Sequence, residues 1–159
     1  MNGKIKIIVV LIMTYVLCAL PAFSKPNVTL LLEKKKLVIE KGKENIVDAS
    51  IVSPGDILIF TIRAENKGDS AALQLEPTGD IPSNTLYIPE KNTSKDYKTF
   101  FSIDNGKTFQ EKPLIKIKQK GKEISKDAPL DMYGKIMWKF STRLESGKSV
   151  VLSYKVKVK

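Results

Sequence analysis

Histidine occurs nowhere in this 159-residue chain. Its absence removes the commonest general base, the usual hydrolytic triads and most zinc sites at once. Cysteine is nearly as scarce. The single Cys18 sits in the N-terminal apolar run, so residues 25–159 hold no thiol and no disulfide. Such a domain rests on packing alone, and at this length it can bury on the order of two-thirds of its unfolded surface. A 3.6-residue apolar period is missing throughout, so no amphipathic helix is expected.

Phosphate and calcium loops are also missing. "SIDNGKTF" (102–109) contains the Gly-Lys-Thr of a P-loop, but that loop needs a glycine at position 101, where Phe101 stands. No helix-like segment follows Gly106 to supply an N-terminus for phosphate. Strand-like residues flank the motif instead (Phe100, Phe101 and Ile103 before it, Phe109 after), and Asn105-Gly106 is the favoured pair for a tight type I′ hairpin. Asp104 and Asn105 are adjacent and lack the alternating ligands of an EF-hand. An irregular calcium site using Asp104 and a second loop stays open. None of the 17 acidic residues lies in a catalytic motif, and carboxylate pairs are defined by spatial separation. A Ser–Lys dyad or an intramolecular Lys–Asn crosslink is formally open, but no local pattern nominates partners for either. No catalytic, cofactor or metal residue is therefore assigned.

What is present first concerns the compartment. Lys4 and Lys6 precede an uncharged apolar run at 7–20, Pro21 breaks it, and Ala22-Phe23-Ser24 offers small residues at −3 and −1. This is the pattern of a signal peptide at 1–24, cleaved after Ser24. A retained anchor is the alternative, but a span needs roughly 20 apolar residues, which favours cleavage and leaves no transmembrane segment. Leu17 stands where a lipobox requires a small residue, which argues against lipidation of Cys18. The formal net charge is +10, and losing Lys4 and Lys6 leaves +8, a balance that suits anionic partners such as lipid headgroups or cell-wall polymers. No nucleic-acid partner is expected.

The period that does appear is two. Leu58, Phe60, Ile62 and Ala64 share one face of 56–65; Val150, Leu152, Tyr154, Val156 and Val158 share one face of the last stretch; Ile136, Trp138 and Phe140 share a third. Ile115 and Ile117 alternate with lysines in the same way. Turn signals separate the runs: Ser53-Pro54-Gly55-Asp56, Asn66-Lys67-Gly68-Asp69, Asn105-Gly106, Lys120-Gly121 and Glu145-Ser146-Gly147. Half-buried antiparallel strands in one β-sandwich domain are expected, with 25–50 as a leader strand plus a charged connection before a domain at 51–159. Residues 81–96, with one short strand near Leu86, and 122–134 read as irregular connections. Two lysine rows stand out, Lys116, Lys118 and Lys120, and Lys155, Lys157 and Lys159. They read either as a face for anionic envelope polymers or as solvated sheet faces that block edge-to-edge pairing. Tyr133, Trp138 and Phe140 could form a sugar-stacking platform, although the shared face of Trp138 and Phe140 favours a core role. The sequons at Asn27 and Asn92 are set aside, because an exported chain without disulfides suits a bacterial envelope protein.

The order of these turns resembles the bacterial conserved-repeat domain, catalogued as domain of unknown function eleven. "VSPGDILIFTIRAENKGDSAA" (52–72) is similar to its Pro-Gly-Asp turn and Asn-x-Gly strand end, and "GDIPSNTLYIP" (79–89) to its Asp-x-Pro segment. "FSIDNGKTF" (101–109) is similar to its Ser-x-Asp-x-Gly hairpin, and "IMWKFSTRLESGKSVVLSYKVKV" (136–158) to its closing strands. The resemblance implies an immunoglobulin-like sandwich on exported envelope or surface proteins, without enzymatic activity; a module of that kind, periplasmic or at the cell surface, is expected to engage other envelope proteins or cell-wall polymers. It usually occurs in tandem, whereas this chain holds one copy behind an extra leader. Mass spectrometry of the protein from the envelope fraction should show an N-terminus at Lys25; a chain beginning at Met1 would refute cleavage.

Overall fold

A computed structural model describes residues 24–91, 93–119 and 121–159; the apolar N-terminal run, the Asn92 sequon and Lys120 lie outside the described residues. Ten strands follow in order: β1 (Val28–Glu40), β2 (Lys43–Asp48), β3 (Ile57–Asn66), β4 (Thr78–Asp80), β5 (Thr85–Ile88), β6 (Tyr97–Ser102), β7 (Leu114–Gln119), β8 (Lys122–Asp127), β9 (Lys135–Phe140) and β10 (Ser149–Val158). One 3₁₀ turn, Leu130–Met132, lies between β8 and β9. All pairings are antiparallel, in a large sheet β2-β1-β3-β10-β5, a small sheet β4-β9-β6 and a separate hairpin β7-β8. The expected all-β sandwich is the observed architecture.

The period-two faces build the core. Leu58, Phe60, Ile62 and Ala64 of β3, Leu152, Tyr154 and Val156 of β10 and Ile136 and Trp138 of β9 are all buried. Phe60 stacks on Tyr154 with ring centroids 5.1 Å apart, and Trp138 tilts against the same tyrosine at 5.9 Å. The two sheets approach so closely here that β4 contributes a glycine. A Cβ added at Gly79 would stand 2.9 Å from Cε1 of Tyr154 and 3.2 Å from Cδ1 of Ile62. Burial pushes the Tyr154 phenol well above its usual range, so its hydroxyl stays a donor, and it donates to the backbone carbonyl of Asp80.

β3 is clasped at both ends by its flanking turns. At its start, Gly55 adopts a φ of 92°, the left-handed value that a Pro-Gly turn needs at its second central residue. The Asp56 carboxylate accepts the Ser53 N–H at 2.8 Å and pairs with Lys36 of β1 at 3.2 Å. The Gly55 N–H donates to Val158, and the Val158 N–H to Asp56, which joins the turn to the end of β10. At the other end Asn66 is fully buried. Its Nδ2 donates to the carbonyls of Ser70 (2.8 Å) and Leu144 (2.9 Å), and its Oδ1 accepts from the N–H groups of Asn27 (3.2 Å) and Gly68 (3.1 Å).

Three segments differ from the sequence reading. The charged connection after the leader strand is β2, reached through Lys41 and Gly42, both at positive φ, so this two-residue turn is the type I′-like hairpin. Asn105 and Gly106 also have positive φ, but they sit in a wider loop closed by reciprocal hydrogen bonds between Phe101 and Gln110, and Phe109 starts no second strand. The 122–134 connection begins as β8, whose six residues are all exposed; Ile115 and Ile117 opposite it are only half-buried. The β7-β8 hairpin is thus an arm, rooted by the buried Pro113 and Ala128, where the Ala128 N–H donates to the Pro113 carbonyl.

Three substitutions test this frame. Asn66→Leu strands buried donors and acceptors, each costing about 1–3 kcal/mol, and should lower the denaturation midpoint sharply. Asn66→Asp should not rescue it, because a carboxylate cannot donate to the Ser70 and Leu144 carbonyls. Gly79→Ala should cost about 1–3 kcal/mol through overpacking against Tyr154. Urea denaturation followed by tryptophan fluorescence checks all three, and wild-type midpoints would contradict the account.

Candidate interaction surfaces

The two lysine rows belong to different sheets. On the arm, Lys116 and Lys118 face Ser125 and Glu123 across the β7-β8 register, and Lys116 pairs with Glu123 at 3.6 Å. Their partner in the row, Lys120, lies outside the described residues. On β10 the three lysines meet three surroundings. Lys155 is held by Glu90 at 2.8 Å, which raises its pKa, chiefly through that hydrogen bond. Lys157 is exposed on the outer face of the large sheet, between Ile57 and Leu86 in register. Lys159 lines a cleft beside β5, and its N–H donates to the Asn84 carbonyl. The structure therefore does not merge the rows into one basic face; acidic residues interrupt both.

The cleft beside β5, of about 470 Å³, also takes in Asp80, Asn105, Asp131 and Lys135, and Asp80 is already paired with Lys135. A second crevice, about 270 Å³, opens where β5 stops alongside β10 and is lined by Tyr87, Glu90, Tyr97, Thr99, Trp138 and Ser153. Ser153 and Lys155 share the outer face of β10. A lysine acting as a general base must be neutral near pH 7, and Glu90 moves Lys155 the opposite way. Among the described residues no group of three or more acidic or thiol side chains could hold a metal ion. No described helix is long and apolar enough to cross a membrane.

Asp104 is engaged in its own loop. Its Oδ1 accepts from Ser102 Oγ (2.7 Å) and the Thr108 N–H (2.9 Å), and its Oδ2 accepts from Thr108 Oγ1 (2.6 Å). The buried Ser102 hydroxyl in turn accepts the Gly106 N–H at 2.8 Å. These bonds, the Thr108 hydroxyl first, hold the carboxyl at about 2. Of the aromatic trio, Trp138 lies in the core, Phe140 packs against Tyr97 at 5.2 Å and Tyr133 against Phe101 at 4.8 Å. They line no common platform with three free faces.

The leader strand expected from the sequence is β1, but the exposure of its N-terminal half is not part of that expectation. Leu30, Leu31 and Leu32 are 53%, 59% and 58% exposed, although all three are paired to β3. A signal was present, because three consecutive leucines in a strand point to both faces and one-sided packing cannot bury them all. β2 covers β1 only from Lys35 onward, so among the described residues nothing pairs with the outer side of residues 28–34. No protein-family model, curated protein or solved structure matches the chain.

A pH prediction follows from Asp104. Its folded pKa lies below the ordinary carboxylate value of 3.8, so its contribution is present above that value and is lost as pH falls toward about 2. Carboxyl-detected NMR should place the Asp104 titration near 2 in the wild type. In Thr108→Val it should move up toward 3.8; an unmoved titration would contradict the assigned cause.

Proposed function

We propose that this protein is an exported, non-enzymatic module of the bacterial cell envelope or surface, of structural or protein-interaction type. The observation that carries the reading is the unpaired, leucine-bearing edge of β1 on a sandwich whose clefts hold ion-paired rather than poised titratable groups. The signal-peptide pattern and the resemblance to the conserved-repeat domain support the same reading from the sequence. The sandwich presents an adhesive edge; it does not transform a substrate. Cell fractionation followed by crosslinking in intact cells tests this: the chain should be found in the envelope, crosslinked through β1. Recovery from the cytoplasm alone would overturn it.

A second reading is favoured by one specific observation, the fully exposed β8 and the lysines of the arm. Here Lys116, Lys118, Lys122 and Lys126 outnumber Glu123 and Asp127. On that reading the arm and the β10 lysines bind anionic envelope polymers. Binding to teichoic-acid-like polyphosphate or anionic vesicles should then collapse as salt rises and should weaken in Lys116→Glu/Lys118→Glu. Salt-insensitive binding would count against it.

A further inference from the structure

We infer that the open stretch of β1 pairs with the same stretch of a second copy of this chain, forming a two-fold dimer with Leu31 opposite Leu31. The inference rests on the interaction reading above and names the partner of that edge.

The backbone sets the geometry. The Lys67 N–H donates to the Asn27 carbonyl, so in the antiparallel alternation the odd-numbered residues of β1 bond to β3. The two-residue turn after Glu40 makes Glu40 and Lys43 a bonded pair and directs the even-numbered residues toward β2. Both observations turn the N–H and C=O groups of Val28, Leu30, Leu32 and Lys34 outward along the stretch that β2 leaves open. β2 ends at Asp48, opposite Lys35, and the next residue, Ala49, is buried in the core, so the chain leaves the edge there. A partner strand is thus confined to the stretch before Lys35.

The side chains select the register. An isologous contact needs a surface complementary to itself. With Leu31 on the axis, Leu30 falls opposite Leu32, Thr29 opposite Glu33 and Val28 opposite Lys34. Six leucines then meet at the centre, and each Lys34 lies opposite an aliphatic residue. The two Lys34 side chains end up about 20 Å apart along the strands, which a chain of net charge +10 requires of any self-contact. Even-numbered residues meet even-numbered residues, so the outward groups can bond in pairs.

The other edges are short, charged or partly bonded: on β6, the second edge of the small sheet, Lys98 is charged and Phe101 exchanges hydrogen bonds with Gln110. Sheet edges are commonly blunted by short length or charge. β4 has three residues and β5 four, β2 carries Lys43, Glu44 and Asp48, and the arm carries lysines on both strands. On β1 the lysines at 35 and 36 lie where β2 already covers the strand, and the uncovered part carries three leucines followed by Glu33 and Lys34 at its end.

Disulfide trapping of the full chain in a Cys18→Ser background tests the register. Leu31→Cys should give a disulfide-linked dimer under copper–phenanthroline oxidation, because directly opposed residues of an antiparallel pair stand at bridging distance. Thr29→Cys alone should not, whereas Thr29→Cys mixed with Glu33→Cys should. Leu31→Lys should shift sedimentation from dimer to monomer while circular dichroism stays unchanged. Equal trapping at Thr29 and Leu31, or a wild-type monomer in sedimentation, overturns the dimer. If the wild type is monomeric yet Leu31→Lys loses an envelope crosslink, self-pairing has failed and the interaction reading has survived. If neither changes, both have failed.

Discussion

The buried amide of Asn66 is the constraint on which the arrangement depends. A single side chain satisfies two N–H groups and two carbonyls drawn from the segment before β1, from its own turn and from the chain leading to β10. An Asn side chain has both donors and an acceptor, which no apolar residue or carboxylate can supply together. Because Asn66 is fully buried, each of these bonds would be costly to leave unmade. Gly68 belongs to the same knot. A Cβ there would lie 2.2 Å from the Lys25 carbonyl oxygen, so the first described residues can lie across the turn only if it has none. Asp56 repeats the device more openly at the other end of β3, with Lys36 and the Ser53 backbone.

Between those two clasps the sandwich is held by apolar and aromatic contact around Tyr154, while its charges are disposed mainly at the surface. Eight ion pairs occur among the described residues, and most join exposed groups, as Lys98 with Glu111 and Lys139 with Glu76. Pairs of that kind contribute little to stability. Their effect is to break the positive charge into short stretches, as Glu90 does for Lys155 and Glu123 for Lys116. The excess of lysine therefore does not become one broad basic face, and the apolar stretch of β1 is left as the most distinctive surface feature.

Strands with a clean alternation could be read directly. β3, β9 and β10 carry their apolar residues at every second position because the two sheets bury one face and water wets the other, and those residues form the core. β2 and β8 gave no such signal. In "KENIVD" the apolar pair Ile46 and Val47 is adjacent, and in "KEISKD" Ile124 stands alone, because neither strand packs a face against a second layer. The loop at 102–109 was legible as a turn but not in its width. That width depends on Asp104 binding Thr108 and Ser102, a side-chain network that the Asn-Gly pair does not announce. The lysine rows were legible as rows, but their acidic neighbours come from distant segments such as the loop after β5, which only the pairing brings near.

The position of β10 has a consequence for the order of assembly. The last strand of the chain lies inside the large sheet, between β3 and β5, and supplies Leu152, Tyr154 and Val156 to the core. The first strand can pair with β3 as soon as both have emerged from the ribosome or a secretion channel, but that ribbon has no opposing layer fixed in place. Closure waits for the ten residues of β10. Until they arrive, β3 exposes an unpaired side and an apolar face together. The large sheet is therefore completed in one late step, because β10 follows both strands that it pairs with and fills the position between them.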